Sequence, residues 1–216
     1  MTLLSSALLK EAGFAHALPE RDATEAELLA ALGVAAVVQA RQVHGARAVD
    51  STDVAGEGAD AIVARAAGGR VAVGVRVADC APVLVADEAT GDVAAIHAGW
   101  RGVVAGVVRA GVERLGGRSL VAAIGPCIGP CCFEVGRDVA GAIEREAPGA
   151  RVIVHAHADK AYVNLRAAVR AQLRAAGLRD SRIEDVAGCT RCDERFHSFR
   201  RDGEQSGRML MAVVTR

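Results

Sequence analysis

The segment VAVGVRVADCAPVLVADEATGDVAAIH, residues 71–97, decides the fold class. It holds three runs rich in valine, leucine and isoleucine, at 71–77, 83–86 and 93–97, and short apolar runs of this kind are typical of buried strands. Because no helical spacing separates these runs, the strands follow one another directly. Strict alternation of strands and helices therefore fits poorly, and the segment predicts an α+β fold with a mixed sheet.

Outside this segment, strand-like and helical patterns alternate irregularly. Further strand-like runs lie at 34–39, 120–124, 151–155 and 210–214. Helical spacing is present at 24–32, 103–115, 137–146 and 164–176. Thr24 and Glu27 form the pattern of a capping box, and Asn164 is a candidate N-cap. No long linker, charge block or internal repeat divides the chain, so we expect one catalytic domain over residues 1–216.

Composition excludes several classes of protein. Hydrophobic residues make up 51% and charged residues 24% of 216 residues, which is typical of a packed core. Lysine plus arginine equals aspartate plus glutamate at 26 each, so no net field attracts nucleic acid or an anionic membrane. The N-terminal run lacks a signal-peptide pattern, and no window reaches the roughly 18 apolar residues of a membrane span. We expect a soluble, cytoplasmic protein with reduced cysteines.

Three polar motifs stand at the ends of strand-like runs: QVHG at 42–45, ADC at 78–80 and HAGWRG at 97–102. They contribute His44, Cys80 and His97. Zinc accepts imidazole and thiolate ligands together, and three protein ligands leave a fourth position free, as in catalytic zinc sites. Residue type and spacing alone favour two hydrogen-bonded histidines and an ordinary buried cysteine over a metal site.

A set of motifs in order links the chain to a known family. The motifs are QVHG (42–45), VADCAPVLVAD (77–87), HAGWRG (97–102), GPCIGPCCFEVG (125–136) and CTRCDERFHSFRRDGEQSGRM (189–209). From about residue 33 onward the sequence resembles the YfiH-like, laccase-domain proteins, which carry the labels polyphenol oxidase, purine nucleoside phosphorylase and peptidoglycan editing factor. Several motifs in one order make a chance match improbable.

This resemblance implies a fold, a cofactor and a set of substrates. It implies layered mixed β-sheets flanked by helices, and a zinc ion held by His44, Cys80 and His97. The implied activities are phosphorolysis of adenosine, guanosine, inosine and S-methyl-5'-thioadenosine, and deamination of adenosine, with a purine nucleoside and phosphate as partners. Aligning His16 with the family's N-terminal histidine places Arg21 at a substrate-binding arginine, although the glycine-rich loop that follows in the family is missing here.

Residues next to the three ligands are candidates for the chemistry. Zinc lowers the pKa of a bound water, as a deaminase requires. Asp79, next to Cys80, is the carboxylate nearest in sequence that could move the proton. An equal alternative is that Asp79 orients a turn or a metal ligand. Arg101 lies in a glycine-bracketed turn before a helix and either binds phosphate or caps that turn. For the single tryptophan, Trp100, packing is favoured over stacking on a purine.

The remaining cysteines and the arginines of the C-terminal loop each allow a functional and a structural interpretation. Cys127, Cys131 and Cys132 lie in one turn, and Cys189 with Cys192 forms a CxxC pair that could complete a second zinc site, but we favour buried, reduced cysteines. The loop that carries Arg200, Arg201 and Arg208 fits either a phosphate contact or a solvated hairpin, and we favour the hairpin.

Other functional readings use the same residues. In a cysteine hydrolase, His97 would lower the pKa of Cys80 and no metal would be needed. A peptidoglycan-editing role without nucleoside chemistry is a third reading. A multicopper oxidase is rejected, because six histidines with a single HxH pair, His155 and His157, are too few for its copper sites.

Overall fold

A computed structural model describes residues 3–56 and 58–216. The strands of these ranges are β1 (Leu3–Leu4), β2 (His16–Pro19), β3 (Val37–Val38), β4 (Ala48–Asp50), β5 (Ala61–Ala64), β6 (Ala72–Val77), β7 (Ala81–Asp87), β8 (Val93–Ala98), β9 (Leu120–Ile124), β10 (Glu134–Gly136), β11 (Ile153–His157), β12 (Lys160–Val163), β13 (Ile183–Asp185) and β14 (Met209–Val214). The helices are α1 (Ala7–Glu11), α2 (Glu25–Leu32), α3 (Trp100–Ala105), α4 (Val107–Leu115), α5 (Arg137–Arg145), α6 (Leu165–Ala175) and α7 (Phe199–Asp202).

The described strands form three sheets. A six-stranded sheet has the order β13-β9-β7-β8-β5-β4, a five-stranded sheet has the order β1-β2-β14-β6-β3, and a three-stranded sheet has the order β10-β12-β11. Both larger sheets are mixed, because β4 runs parallel to β5, β9 to β13 and β3 to β6, while the remaining pairs are antiparallel. The predicted α+β fold with layered mixed sheets is confirmed.

Strand β7 shows why the layers form. Val83 and Val85 belong to the apolar cluster that also contains residues of α4 and α6, whereas Leu84 and Ala86 belong to the cluster shared with β6 and β14. Successive side chains of a strand point to opposite faces, so a continuous apolar run is stable only between two covering layers. The six-stranded sheet therefore lies between helices and the five-stranded sheet.

Helix α2 covers the other face of the five-stranded sheet. Leu28 and Leu32 pack there against apolar residues of β2 and β14. The predicted capping box is present, because the Thr24 hydroxyl accepts from the Glu27 N–H and the Glu27 carboxylate accepts from the Thr24 N–H. The helix ends at Gly33, which is left-handed, with φ of 64°.

One predicted helix differs in its bounds. The pattern at 103–115 predicts a single helix, but the structure has α3 and α4, which meet at Gly106 with φ of 86°. Glycine adopts this left-handed conformation without steric cost, so the axis turns there. The break separates the turn that carries Trp100 and Arg101 from α4.

None of the helices within residues 3–56 and 58–216 has the length and apolar composition that crossing a membrane demands.

Candidate metal centre and ligand pocket

Strand pairing brings Cys80 and His97 together. Strands β7 and β8 are antiparallel, with Ala81 opposite Ala98 and Pro82 opposite His97. The residue before β7 and the end of β8 therefore lie at one edge of the sheet. His97 is buried, with an exposed fraction of 3%.

His44 reaches the same edge from the loop between β3 and β4. Its backbone is left-handed, with φ of 59°, which is uncommon for a residue with a side chain. The loop is held at both ends of the QVHG motif: the Gln42 amide exchanges two hydrogen bonds with the backbone of Arg76 on β6, and the Gly45 N–H donates to Asp60.

Asp60 organises both histidines. Its buried carboxylate accepts from the N–H groups of Val43, His44 and Gly45 at 3.2, 3.0 and 2.8 Å. The same carboxylate lies 2.7 Å from the Nδ1 atom of His97. Because a carboxylate is an acceptor, His97 donates from Nδ1, and Nε2 is the nitrogen left to bind a metal, as in many metal-binding histidines.

Asp60 was not identified by sequence reasoning. The available signal was a carboxylate directly before the apolar run at 61–64, but its four hydrogen bonds depend on long-range folding. Burial acts to raise the pKa of Asp60, yet the bonds from His97 and the Gly45 N–H outweigh burial and hold the pKa below its usual range. Asp60 is therefore a charged acceptor at neutral pH.

The predicted ligand atoms converge. One ligand atom each from His44, Cys80 and His97 lies within 4.8 Å of the others, and the two imidazole rings meet edge to face with centroids 4.8 Å apart. Gly99 permits this approach, because a Cβ atom there would lie 2.9 Å from the Cys80 Sγ atom and 3.2 Å from the His44 ring. The cluster has the donor set and the proximity of a three-ligand metal site.

The pKa shifts of His44 and Cys80 favour a cation between the three ligand atoms. Burial and the neighbouring His97 lower the pKa of His44, so its ring is neutral near pH 7 and has a lone pair to donate. Burial raises the pKa of the Cys80 thiol to about 12, and the negative charge of Asp79 adds to the effect. A thiolate at Cys80 consequently needs a positive charge beside it, such as a metal ion.

The three side chains line a cavity of about 550 Å³. This volume is within the range of small-molecule sites, about 300–1,000 Å³. Apolar and aromatic walls come from Trp100, Ile128, Phe133, Leu165 and Phe199. Phe199 is 49% exposed, so one aromatic surface at this cavity is available to a ligand.

Three arginines line the cavity: Arg76 on β6, and two arginines of the C-terminal loop. Arg200 and Arg208 line the cavity, and their guanidinium carbons lie 5.7 Å from the Phe133 ring and 5.6 Å from the Phe199 ring. Both arginines are exposed, as a solvated segment predicts, but the segment contains helix α7 in place of the expected hairpin. Arg200 also donates to the Glu134 carbonyl, and Arg208 to the Ser206 carbonyl. Arg201 does not line the cavity; it pairs with Asp202 and donates to the carbonyls of Thr190 and Phe196.

Asp79 lines the cavity but has both carboxylate oxygens engaged. One oxygen accepts from the Thr190 hydroxyl and the other from the Arg200 N–H, each at 2.6 Å. Its backbone is left-handed, with φ of 82°. This arrangement favours the orienting role over proton transfer.

The other predicted residues lie around the cavity. Trp100 both packs on the core and lines the cavity, and the Arg101 guanidinium stacks on its ring at 4.5 Å. Arg101 is exposed at the first turn of α3 and does not line the cavity. Arg21 lies in a separate small pocket, donates to the Glu194 carbonyl and lies near Asp22.

Fold and site together define a mixed α/β protein with a three-ligand candidate metal centre in the wall of a ligand-sized cavity. Residues 20–216 match the family described as "Multi-copper polyphenol oxidoreductase laccase". The chain thus belongs to the YfiH-like laccase-domain family.

Relatives in this family carry enzyme names. The protein named adenosine deaminase RL5, from an unknown prokaryotic organism, is 37% identical over 196 residues, which cover 82% of this chain and 74% of that protein. Purine nucleoside phosphorylase YfiH of Escherichia coli is 36% identical over 180 residues, 80% of this chain and 71% of that protein. The crystal structure of YlmD from Geobacillus stearothermophilus has a TM-score of 0.73 at 30% identity and covers 83% of this chain and 74% of that one.

Proposed function

We propose that the chain is a single-domain, zinc-dependent purine nucleoside phosphorylase that also deaminates adenosine. The proposed substrates are adenosine, guanosine, inosine and S-methyl-5'-thioadenosine, with phosphate as the second substrate, and we place the reaction in the cytoplasm. The observation that carries the proposal is the convergence of His44, Cys80 and His97 in a cavity that is also lined by aromatic rings and by three arginines. The enzyme names of the relatives support the same class of reaction.

The donor set supports zinc as the metal. Two imidazoles and one thiolate match the borderline-soft preference of Zn²⁺, and three protein ligands would leave one coordination position for water or substrate. Asp60 supports this use of His97 by fixing the proton on Nδ1. In the described part of the chain, only His44 and His97 bring imidazoles into a ligand cluster, which is too few for a multicopper centre.

A zinc ion held by these ligands would supply a Lewis acid and lower the pKa of a water molecule. The chain's own residues would position the substrates. Arg200 and Arg208 would bind phosphate oxygens, because guanidinium groups hold such anions through paired charge-assisted hydrogen bonds. Phe199 would stack on the purine base.

The remaining residues receive supporting roles. We propose that Asp79 orients the Thr190 loop and α7, because its oxygens already accept two hydrogen bonds. Arg101 would contribute positive charge near His44 when a phosphate is bound, from its place over Trp100. A substrate contact by Arg21 would require the N-terminal segment to move toward the cavity.

The cysteine-hydrolase reading is less well supported. A thiolate nucleophile needs a depressed pKa, whereas burial raises the pKa of Cys80 to about 12. His97 is also committed to Asp60 through Nδ1. Loss of activity with a chelator, rather than with iodoacetamide, is the result that the zinc proposal predicts.

One product analysis tests the proposal. Purified protein is incubated with adenosine, with and without phosphate, and the products are separated. Adenine and ribose 1-phosphate formed only with phosphate indicate phosphorolysis, and inosine formed in both samples indicates deamination. Cys80→Ala should abolish both reactions, whereas the exposed helix variant Arg109→Ala should retain them. Absence of every product from zinc-loaded protein would contradict the proposal and leave the editing-factor reading.

A further inference from the structure

A second cluster of four thiols lies outside the centre described above. Cys131 and Cys132 precede β10, and Cys189 and Cys192 form the CxxC pair that follows β13. One sulfur from each residue lies within 4.8 Å of the other three. The Cys192 sulfur is 3.2 Å from that of Cys132 and 3.6 Å from that of Cys131.

These sulfur–sulfur separations are close to those of four ligands around one shared metal ion. Four thiolates arranged tetrahedrally at the usual Zn–S distance of about 2.3 Å place their sulfurs roughly 3.8 Å apart. A disulfide requires about 2.05 Å between the two sulfurs, which is much shorter than the 3.2 and 3.6 Å found here. Two pairs of cysteines from distant segments, one of them a CxxC, are the arrangement of structural Cys₄ zinc sites.

The backbone around the thiols is shaped to hold them together. The Gly129 N–H donates to the Cys189 sulfur at 3.2 Å. A Cβ atom at Gly129 would lie 3.2 Å from the Cys189 sulfur and 3.3 Å from the Cys131 sulfur, so glycine leaves the space that the cluster occupies. The two segments are joined beside the cluster, because Cys127 forms a β-bridge with Cys189.

The charge around the cluster also suits a metal thiolate. A Zn²⁺ ion with four thiolates carries two net negative charges. The Arg191 guanidinium lies beside the Cys132 sulfur, where it offsets part of this charge. N–H donors and a nearby cation are the outer contacts that tune and orient metal-bound ligands.

We propose that Cys131, Cys132, Cys189 and Cys192 bind a second, structural zinc ion. With four protein ligands the ion has no open position, so it takes no substrate. The favoured expectation from the sequence, that these cysteines are only buried and reduced, is replaced by this proposal. Two of the four are exposed, and all four have neighbouring sulfurs.

The position of the cluster gives the ion a role in shaping the cavity. Cys132 is followed by Phe133, and the Cys132 carbonyl lies 3.4 Å from the Arg200 guanidinium. Thr190, between the two CxxC cysteines, donates to Asp79. The ion would therefore crosslink the two segments that carry one aromatic wall and one charged wall of the cavity.

Zinc counting in matched variants tests this inference independently of the catalytic centre. Wild-type protein, purified without chelator, should contain about two zinc ions per chain by elemental mass spectrometry. Cys80→Ser should retain about one ion, and the double variant Cys189→Ser/Cys192→Ser should retain about one, held at the other centre. Cys127→Ala, which removes a buried cysteine outside the cluster, should retain both.

The double variant could lose zinc simply because it fails to fold, so two further measurements use protein in which all four cysteines are intact. Cobalt loaded into Cys80→Ser should give intense thiolate-to-metal charge-transfer absorption, characteristic of several sulfur ligands. A mercurial reagent added to that protein should release the remaining zinc. A wild-type content of one zinc that Cys80→Ser abolishes would overturn the inference, and so would an intact mass lower by two hydrogen atoms, which indicates a disulfide.

Discussion

Replacing Asp60 with asparagine changes one atom of the carboxylate and removes two acceptor contacts. The carboxylate accepts from the N–H groups of Val43, His44 and Gly45 and from the His97 Nδ1 atom. An amide offers one acceptor oxygen, and its NH₂ group would face two donors. If NH₂ faces His97, the ring can restore a hydrogen bond only by moving its proton to Nε2, which removes the lone pair that the metal uses.

The expected magnitudes follow from these contacts. Two buried donors without acceptors cost about 1–3 kcal/mol each, so the free energy of unfolding should fall by about 2–6 kcal/mol. For a chain of this length, each kcal/mol lowers Tm by about 2–4 °C. Loss of the partner that orients a metal-bound histidine typically weakens metal affinity by about 10- to 100-fold.

Asp87→Asn provides the matched control. Asp87 is also buried, accepts from Ala89 and Thr90, and ends the same strand that Cys80 precedes, roughly 20 Å along the strand. Zinc affinity is measured by competition with a chromogenic chelator, and Tm by calorimetry. Both variants should lower Tm, but only Asp60→Asn should lower affinity at the His44 centre. Equal, unchanged zinc affinity in the two variants would show that Asp60 does not support metal binding by His97.

Three further predictions concern the packing, charge and protonation of the site. Gly99→Ala should weaken zinc binding by about tenfold or more, because a Cβ atom would lie 2.9 Å from the Cys80 sulfur, while Gly68→Ala, with nothing within 4 Å, should bind normally. Arg208→Ala should raise the KM for phosphate by about 10- to 100-fold, which corresponds to the loss of one hydrogen bond to a charged group, whereas Arg109→Ala should leave the KM unchanged. Equal KM values for the two variants in steady-state assays would count against phosphate binding by Arg208. In chelator-treated protein, the alkylation rate of Cys80, measured by mass spectrometry, should rise with pH without a plateau up to about pH 10. The reason is that the thiol has a pKa of about 12 and stays protonated below it. A plateau of the rate near neutral pH would contradict this.

The fold class was predictable because long apolar runs carry their own signal. Strands β6, β7 and β8 were recognised from runs of valine and leucine that must be buried on both faces. Strands β4 and β13, of three residues each, were missed because so few residues establish no periodicity. The break at Gly106 was missed because a single glycine inside a helical pattern is usually tolerated.

The candidate site was predictable only in part. His44, Cys80 and His97 were identified through motifs, whereas Asp60 acts through hydrogen bonds between segments distant in sequence. Arg208 lines the cavity through the tertiary fold, and the direction of a loop has no local signal in the sequence. The meeting of the four thiols likewise depends on the register between Cys127 and Cys189, which is a tertiary property.

We expect two imidazoles and one thiolate to share a single metal ion in the wall of the cavity. Anomalous diffraction collected on both sides of the zinc absorption edge, from crystals grown without added metal, tests it directly. We predict a zinc peak within bonding distance of the His44 and His97 rings and the Cys80 sulfur, about 2.0–2.3 Å from each ligand atom. A fully loaded, active protein whose crystals show no anomalous peak among these three side chains would contradict the account.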